Sequence, residues 1–193
     1  MTEYSRDGLF GDFSYGGPGV SKGFLNALML TQGALSKKKC SILVVGSGNG
    51  YELVLFGKKG HDVIGLDIYV PEVGYVKDRS VIGSACNIPF ADKQFELVYC
   101  TEMLEHVNPK DTGSILAEFK RVASEFYITI ATRGDYPFNS HINIHSPRWW
   151  HREFVKHGFT ISHITDRPSV VCDFGGTYYS IDYPDGVTIY GKC

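Results

Sequence analysis

The stretch SILVVGSGNGYELVLFGKKGHDVIGLD, residues 41–67, decides the fold. Ile42, Leu43, Val44 and Val45 are apolar at consecutive rather than alternate positions, the pattern of a strand buried on both faces. Gly46, Gly48 and Gly50 follow at once. Glycine lets a backbone bend sharply and lets a ligand approach closely. Residues 51–58 then read as a helix that stops at Gly60, and residues 62–66 as a second strand closing on Asp67. The dinucleotide fingerprint needs glycine or alanine three residues after its second glycine, and Tyr51 stands there. The phosphate-loop pattern also fails, because no Gly-Lys-Ser/Thr follows. The spacing therefore points to a nucleoside without a diphosphate. Asp67, 17 residues after Gly50, is placed to accept hydrogen bonds from both ribose hydroxyls.

Outward from this unit, residues 81–83, 95–100, 126–131, 159–164 and 187–190 read as further strands. Residues 21–35 and 109–123 read as helices, and residues 102–107 as one helical turn. Ser146-Pro147 opens another helix, with serine as N-cap and proline at the first position, ending near His157-Gly158. Strands alternating with helices predict an α/β fold, a doubly wound, mostly parallel seven-stranded sheet with helices on both faces. Ligands of such sheets bind at the carboxyl ends of the strands. That rule brings together the glycine turn, Asp67, the turn at Ala85 and Glu102.

The 193 residues suit one domain with one sizeable core. Lys plus Arg number 19 against 21 Asp plus Glu, a net charge of −2, which argues against a general nucleic-acid surface. Five cysteines without a CxxC pair suggest neither a zinc site nor a disulfide framework, so reduced thiols in a cytoplasmic protein are expected. No apolar run approaches the roughly 20 residues that span a bilayer. Residues 1–20 mix Tyr4, Phe10, Phe13 and Tyr15 with five glycines, the composition of a surface arm or of a lid over a pocket.

Two segments, ILVVGSGNGYELVLFGKKGHDVIGLDI and SACNIPFADKQFELVYCTEMLEHV, resemble the four cofactor motifs of class I S-adenosylmethionine-dependent methyltransferases. The likeness runs over about residues 40–165. It implies a Rossmann-like methyltransferase domain over residues 1–193, with S-adenosylmethionine as cofactor. By position, Gly46, Ser47, Gly48, Asn49 and Gly50 would pass under its methionine and ribose. Asp67 would hold the ribose, with Ile68 against adenine. Ala85, Cys86 and Asn87 would flank the adenine edge, and Thr101 and Glu102 would line the methionine or acceptor side. Glu52 and Leu53 depart from the family, standing where small residues are common. Cys86 stands near a position that is often acidic.

Methyl transfer from a sulfonium needs positioning first, and a base only where the acceptor must lose a proton early. Glu102, Glu105 and His106 share one turn, and His141 and His145 lie in the loop after strand five. One reading packs His106 against the sheet and leaves the glutamates as caps. A second makes His106 or His141 the general base for a hydroxyl acceptor. A third gives Glu102, Glu105, His106 and His141 a divalent metal. This last resembles metal-assisted small-RNA 2′-O-methyltransferases and quinone-precursor O-methyltransferases, which share a Glu-x-x-Glu-His run. Metal-free relatives carry the run too, which disfavours the metal. One of Trp149 and Trp150 belongs in the core; the other, with Tyr178, Tyr179 and Tyr183, is a candidate wall of the acceptor pocket. No Asn-Pro-Pro-Tyr or Asp-Pro-Pro-Tyr follows strand four, which disfavours methylation of exocyclic amines in DNA. The expectation is O-methylation of a small-molecule acceptor. The alternatives are a non-catalytic binding module on the same scaffold, and an aminopropyl transferase, for which no acidic segment follows strand four.

Overall fold

Because it is apolar on both faces, Ser41–Val45 (β1) can rest only between layers of protein. In the computed structural model β1 pairs in parallel with Asp62–Asp67 (β2) on one side and Phe95–Thr101 (β4) on the other. The structure describes residues 39–48, 50–69, 74–134, 139–165, 169–174, 177–182 and 186–193. The expected lid over residues 1–20, the helix over residues 21–35, Asn49 and Tyr183 lie outside the described residues, as do the side chains of Tyr178 and Tyr179.

Alternate residues of β1 enter two different cores. Ile42 and Val44 pack with Leu53 and Phe56 of helix α1 (Tyr51–Lys58), and with Val76 of the short helix α2 (Gly74–Lys77). Leu43 and Val45 belong to the other face. There they join Ile115, Leu116 and Phe119 of α3 (Thr112–Val122) and Trp150 and Phe154 of α4 (Pro147–Lys156). Burying one such side chain contributes roughly 1.5–3 kcal/mol, so β1 is secured from both sides.

The sheet order is β3-β2-β1-β4-β5-β9-β6, with β3 as Ser80–Ile82, β5 as Ala123–Ala131, β6 as Thr160–Thr165 and β9 as Gly186–Lys192. The chain winds outward from β1 to β3, then returns to β1 and winds the other way through β4 and β5. The switch point lies between β1 and β4. β9 runs antiparallel to both β5 and β6. The seven expected strands are all present. An additional hairpin, Ser169–Phe174 (β7) with Thr177–Asp182 (β8), forms its own two-stranded sheet.

Two expected elements differ. Residues 109–123 do not form one helix. Pro109–Asp111 is a 3-10 turn, with the Asn108 side chain accepting the Lys110 N–H at 3.1 Å. Ala123 already belongs to β5, where its register partner is Phe95. Residues 102–107 do not form an α-helical turn either: only Leu104–His106 is helical, as 3-10. The α4 start agrees with expectation, since Ser146 Oγ accepts the Trp149 N–H at 3.3 Å and Pro147 takes the first position. Among the described residues no helix is long and apolar enough to cross a membrane.

Candidate functional site

The glycine turn leaves the end of β1 and folds over β2. Gly46 N–H and Ser47 N–H both donate to the Leu66 carbonyl, at 2.9 and 3.3 Å. Gly50 N–H donates to the Ser47 carbonyl at 2.8 Å, closing the turn before α1. At Gly48 a Cβ would meet nothing within 4 Å, so the backbone is open to an approaching ligand there. Asp67 braces the turn. Its Oδ2 accepts the Gly48 N–H at 2.8 Å and its Oδ1 the Tyr69 N–H at 3.0 Å. Each carboxylate oxygen keeps a second lone pair, which suits a pair of ribose hydroxyls.

Beside Asp67, Ile68 is 82% exposed, a bare apolar surface fit for a flat base. Ala85, Cys86 and Asn87 lie on the turn after β3, where Ser84 and Asn87 form an isolated bridge. Arg121, near the end of α3, secures the segment that follows. Its guanidinium donates to the carbonyls of Ile88 and Phe90 at 2.8 and 2.7 Å, while Glu118 Oε2 accepts the Ile88 N–H at 2.6 Å.

Across β1, Thr101 and Glu102 end β4. Glu102 sits at φ 50°, a left-handed backbone that side chains other than glycine rarely adopt. This kink breaks the helical spacing expected from the sequence, so Glu102, Glu105 and His106 do not share one helical face. Glu102 Oε1 instead accepts the Thr129 hydroxyl at 2.8 Å. Glu105 is fully buried. Its Oε1 accepts the Ala131 N–H at 3.2 Å, and its Oε2 has no hydrogen-bond partner among the described residues. Burial, and next the charge of Glu102, hold the Glu105 carboxyl well above the usual carboxylate range.

His106 turns outward, and its ring meets that of His141 edge-on, with centroids 4.7 Å apart. His106 Nδ1 lies 3.2 Å from the Ser140 carbonyl and His141 Nδ1 2.7 Å from the Arg133 carbonyl. A carbonyl only accepts, so each Nδ1 carries the proton and Nε2 is the basic nitrogen of the neutral ring. Glu105, His106 and His141 offer ligand atoms that all lie within 4.8 Å of one another. His145 does not join them: it stacks on Trp149 with ring centroids 3.6 Å apart, and burial lowers its pKa. Trp150 is the core tryptophan, fully buried.

Asn143, which the sequence reading passed over, fastens the histidine loop. Its Nδ2 donates to the Leu104 carbonyl at 2.9 Å and to Thr112 Oγ1 at 3.0 Å, and its backbone N–H donates to the Glu105 carbonyl. Asn143→Ala is expected to destabilise the fold by about 1–3 kcal/mol, the usual range for a buried polar group losing its partners. Denaturant unfolding would measure this, and a loss under about 0.5 kcal/mol, no more than an ordinary surface substitution, would contradict the role. Glu52 is the second such residue, noted in the sequence only as a departure. Its place four residues before the buried Phe56 on α1 was the signal available. It is 4% exposed.

The doubly wound sheet, with a braced glycine turn at its switch point and a carboxylate ending β2, defines a Rossmann-like domain. The family model described as "Methyltransferase domain" matches residues 43–125. A TehB-like SAM-dependent methyltransferase from Corynebacterium glutamicum superposes with a TM-score of 0.64 at 16% identity, over 91% of this chain and 89% of that one. The YcgJ protein of Bacillus subtilis gives 0.64 at 14% identity, over 88% and 97%. The [4+2]-cyclase SpnF gives 0.62 at 17% identity, over 76% and 58%. Residues 43–125 thus match a methyltransferase domain family, and the chain has the fold of S-adenosylmethionine-dependent methyltransferases, a likeness that implies S-adenosylmethionine as the cofactor. The site suits that group: the open backbone at Gly48, the Asp67 carboxylate and the exposed Ile68 match a nucleoside without phosphates.

Proposed function

We propose that the protein is a methyltransferase acting on a hydroxyl of a small-molecule acceptor. The observation that carries this reading is the His106–His141 pair, whose Nδ1 atoms are engaged with carbonyls in the segments that follow β4 and β5. S-adenosylmethionine, when bound, supplies a methyl group already activated by its sulfonium. The protein has to position and to manage a proton. Asp67 holds the ribose, and Gly46, Ser47, Gly48, Asn49 and Gly50 give the cofactor room. Ile68 with Ala85, Cys86 and Asn87 encloses the base, and Thr101 and Glu102 line the way to the acceptor. His106 or His141 accepts the acceptor's hydroxyl proton at Nε2.

General-base catalysis contributes typically about 10²–10⁴-fold. His106→Ala and His141→Ala are therefore each screened for methyl transfer to a panel of hydroxylated metabolites, sugars and phenols. The variant lacking the base is expected to lose kcat/KM by about that factor, with S-adenosylhomocysteine affinity unchanged. Losses below threefold in both variants would remove the base from the reading.

A second reading is favoured by one observation, the buried Glu105 Oε2 beside the two histidines, without a partner among the described residues. Here Glu105, His106 and His141 would hold a divalent metal, which would supply a Lewis acid to lower the pKa of the acceptor hydroxyl. Dialysis against a chelator followed by Mg²⁺, Mn²⁺ or Zn²⁺ separates the two readings. The metal reading expects activity to vanish and return, the base reading expects no change.

A further inference from the structure

We propose that Glu52 is the anchor for the cofactor's α-ammonium group, a role set by its buried place between the glycine turn and Thr101. The inference rests on the cofactor assignment and is independent of the methyl acceptor.

Glu52 is the second residue of α1, directly after the turn that runs from Gly46 to Gly50. Its side chain points in toward the sheet and is almost wholly covered. There Thr101 Oγ1 donates to Oε1 across 3.5 Å, a long and weak contact. The titratable group that faces it from β4 is Tyr99, held protonated by burial, while Cys100 points into the opposite core. No lysine or arginine among the described residues bonds to it. A carboxyl so placed is deprived of water and gains no cation among the described residues, and burial pushes it up to about 8. Buried charges are ordinarily paired, so a cation arriving from outside would supply the partner that the described residues do not and would draw the carboxyl into its charged form.

The geometry also says which end of the cofactor arrives. Asp67 fixes the ribose on the β2 side of β1. The β2–β3 side offers bare Ile68 and the Ala85 turn, suited to adenine. The β4 side offers Glu52 and Thr101, suited to a charged amino-acid end. The zwitterion must therefore extend across β1 toward β4, which brings its ammonium to Glu52.

The test uses two ligands that share the nucleoside. S-adenosylhomocysteine carries the ammonium, whereas 5′-methylthioadenosine lacks the whole amino-acid end. Calorimetric titration of the parent and of Glu52→Gln with both ligands is expected to show a split. S-adenosylhomocysteine weakens by about 10- to 100-fold, the range for one charge-assisted bond, and 5′-methylthioadenosine stays within twofold. Ammonium binding favours the carboxylate, so in the parent S-adenosylhomocysteine affinity falls as pH drops below 8, and in Glu52→Gln it stays flat. Binding of 5′-methylthioadenosine by the variant shows that its site is folded. Equal affinities of both ligands for both proteins, or an equal loss for both ligands, overturns the ammonium role and leaves Glu52 as a helix-end residue. If the parent binds neither ligand, the cofactor assignment itself falls, and this inference with it.

Discussion

Gly50→Ala is expected to lower stability by about 2–5 kcal/mol, more than any other single methyl addition to the glycine turn. Two penalties combine. Gly50 lies at φ 79°, and a left-handed backbone costs an L-residue roughly 1–2 kcal/mol. The new Cβ would also run into Val76 Cγ1, with Cγ2 at 3.0 Å and Cβ at 3.1 Å. Val76 is buried in the core beneath α1, so it cannot swing aside without moving that core, and overpacking of this kind costs about 1–3 kcal/mol. For a domain of this size the thermal midpoint should drop by roughly 5–15 °C. Gly48→Ala is the control. Its Cβ meets open space, so only the backbone penalty remains. Calorimetric melting of the two variants side by side decides the matter, and equal midpoints would show that the Val76 contact carries no energy.

Asp67→Ala is the second large effect, and it falls on binding rather than on folding. The carboxylate holds the Gly48 and Tyr69 N–H groups and keeps a second lone pair on each oxygen for the proposed ribose. Hydrogen bonds to a charged group contribute about 1.5–3 kcal/mol each. Losing two ribose bonds, together with the brace on Gly48, should weaken S-adenosylhomocysteine by more than about a hundredfold. The fold should survive, because Asp67 stands at the rim of the sheet rather than in either core. Asp67→Asn keeps one accepting oxygen but sets an NH2 donor against the other backbone N–H, so its affinity should fall between those of the parent and the alanine variant. An affinity for Asp67→Ala within threefold of the parent would mean that the ribose is held elsewhere.

Part of the architecture was legible because local patterns and tertiary environment agree. An apolar run such as residues 42–45 has no stable place except a doubly covered strand, and Gly50 has few neighbours that could replace it. Ser146-Pro147 marks a helix start by chemistry internal to two residues. Residues 102–107 behaved otherwise. Their spacing suits a helix, yet Glu102 is drawn into a left-handed kink by its backbone bond to the Thr129 carbonyl and its side-chain bond to Thr129 Oγ1. Both partners lie 27 residues away, so no local propensity could reveal the kink. His141 and His145 show the same limit. Each is a histidine in one loop, but Asn143 is fastened between them and His145 finds Trp149 to stack on, so only His141 reaches His106.

The sequence by itself determined the class of fold, the glycine turn and the carboxylate that ends β2, because these depend on residues adjacent in the chain and on hydrophobic periodicity. Only the tertiary structure decided the rest. It set which acids are buried, which histidines meet, and that Glu52 lies against Thr101 with no cation beside it among the described residues. Those facts depend on desolvation and on contacts between distant strands, and both arise only when the sheet has closed around the site.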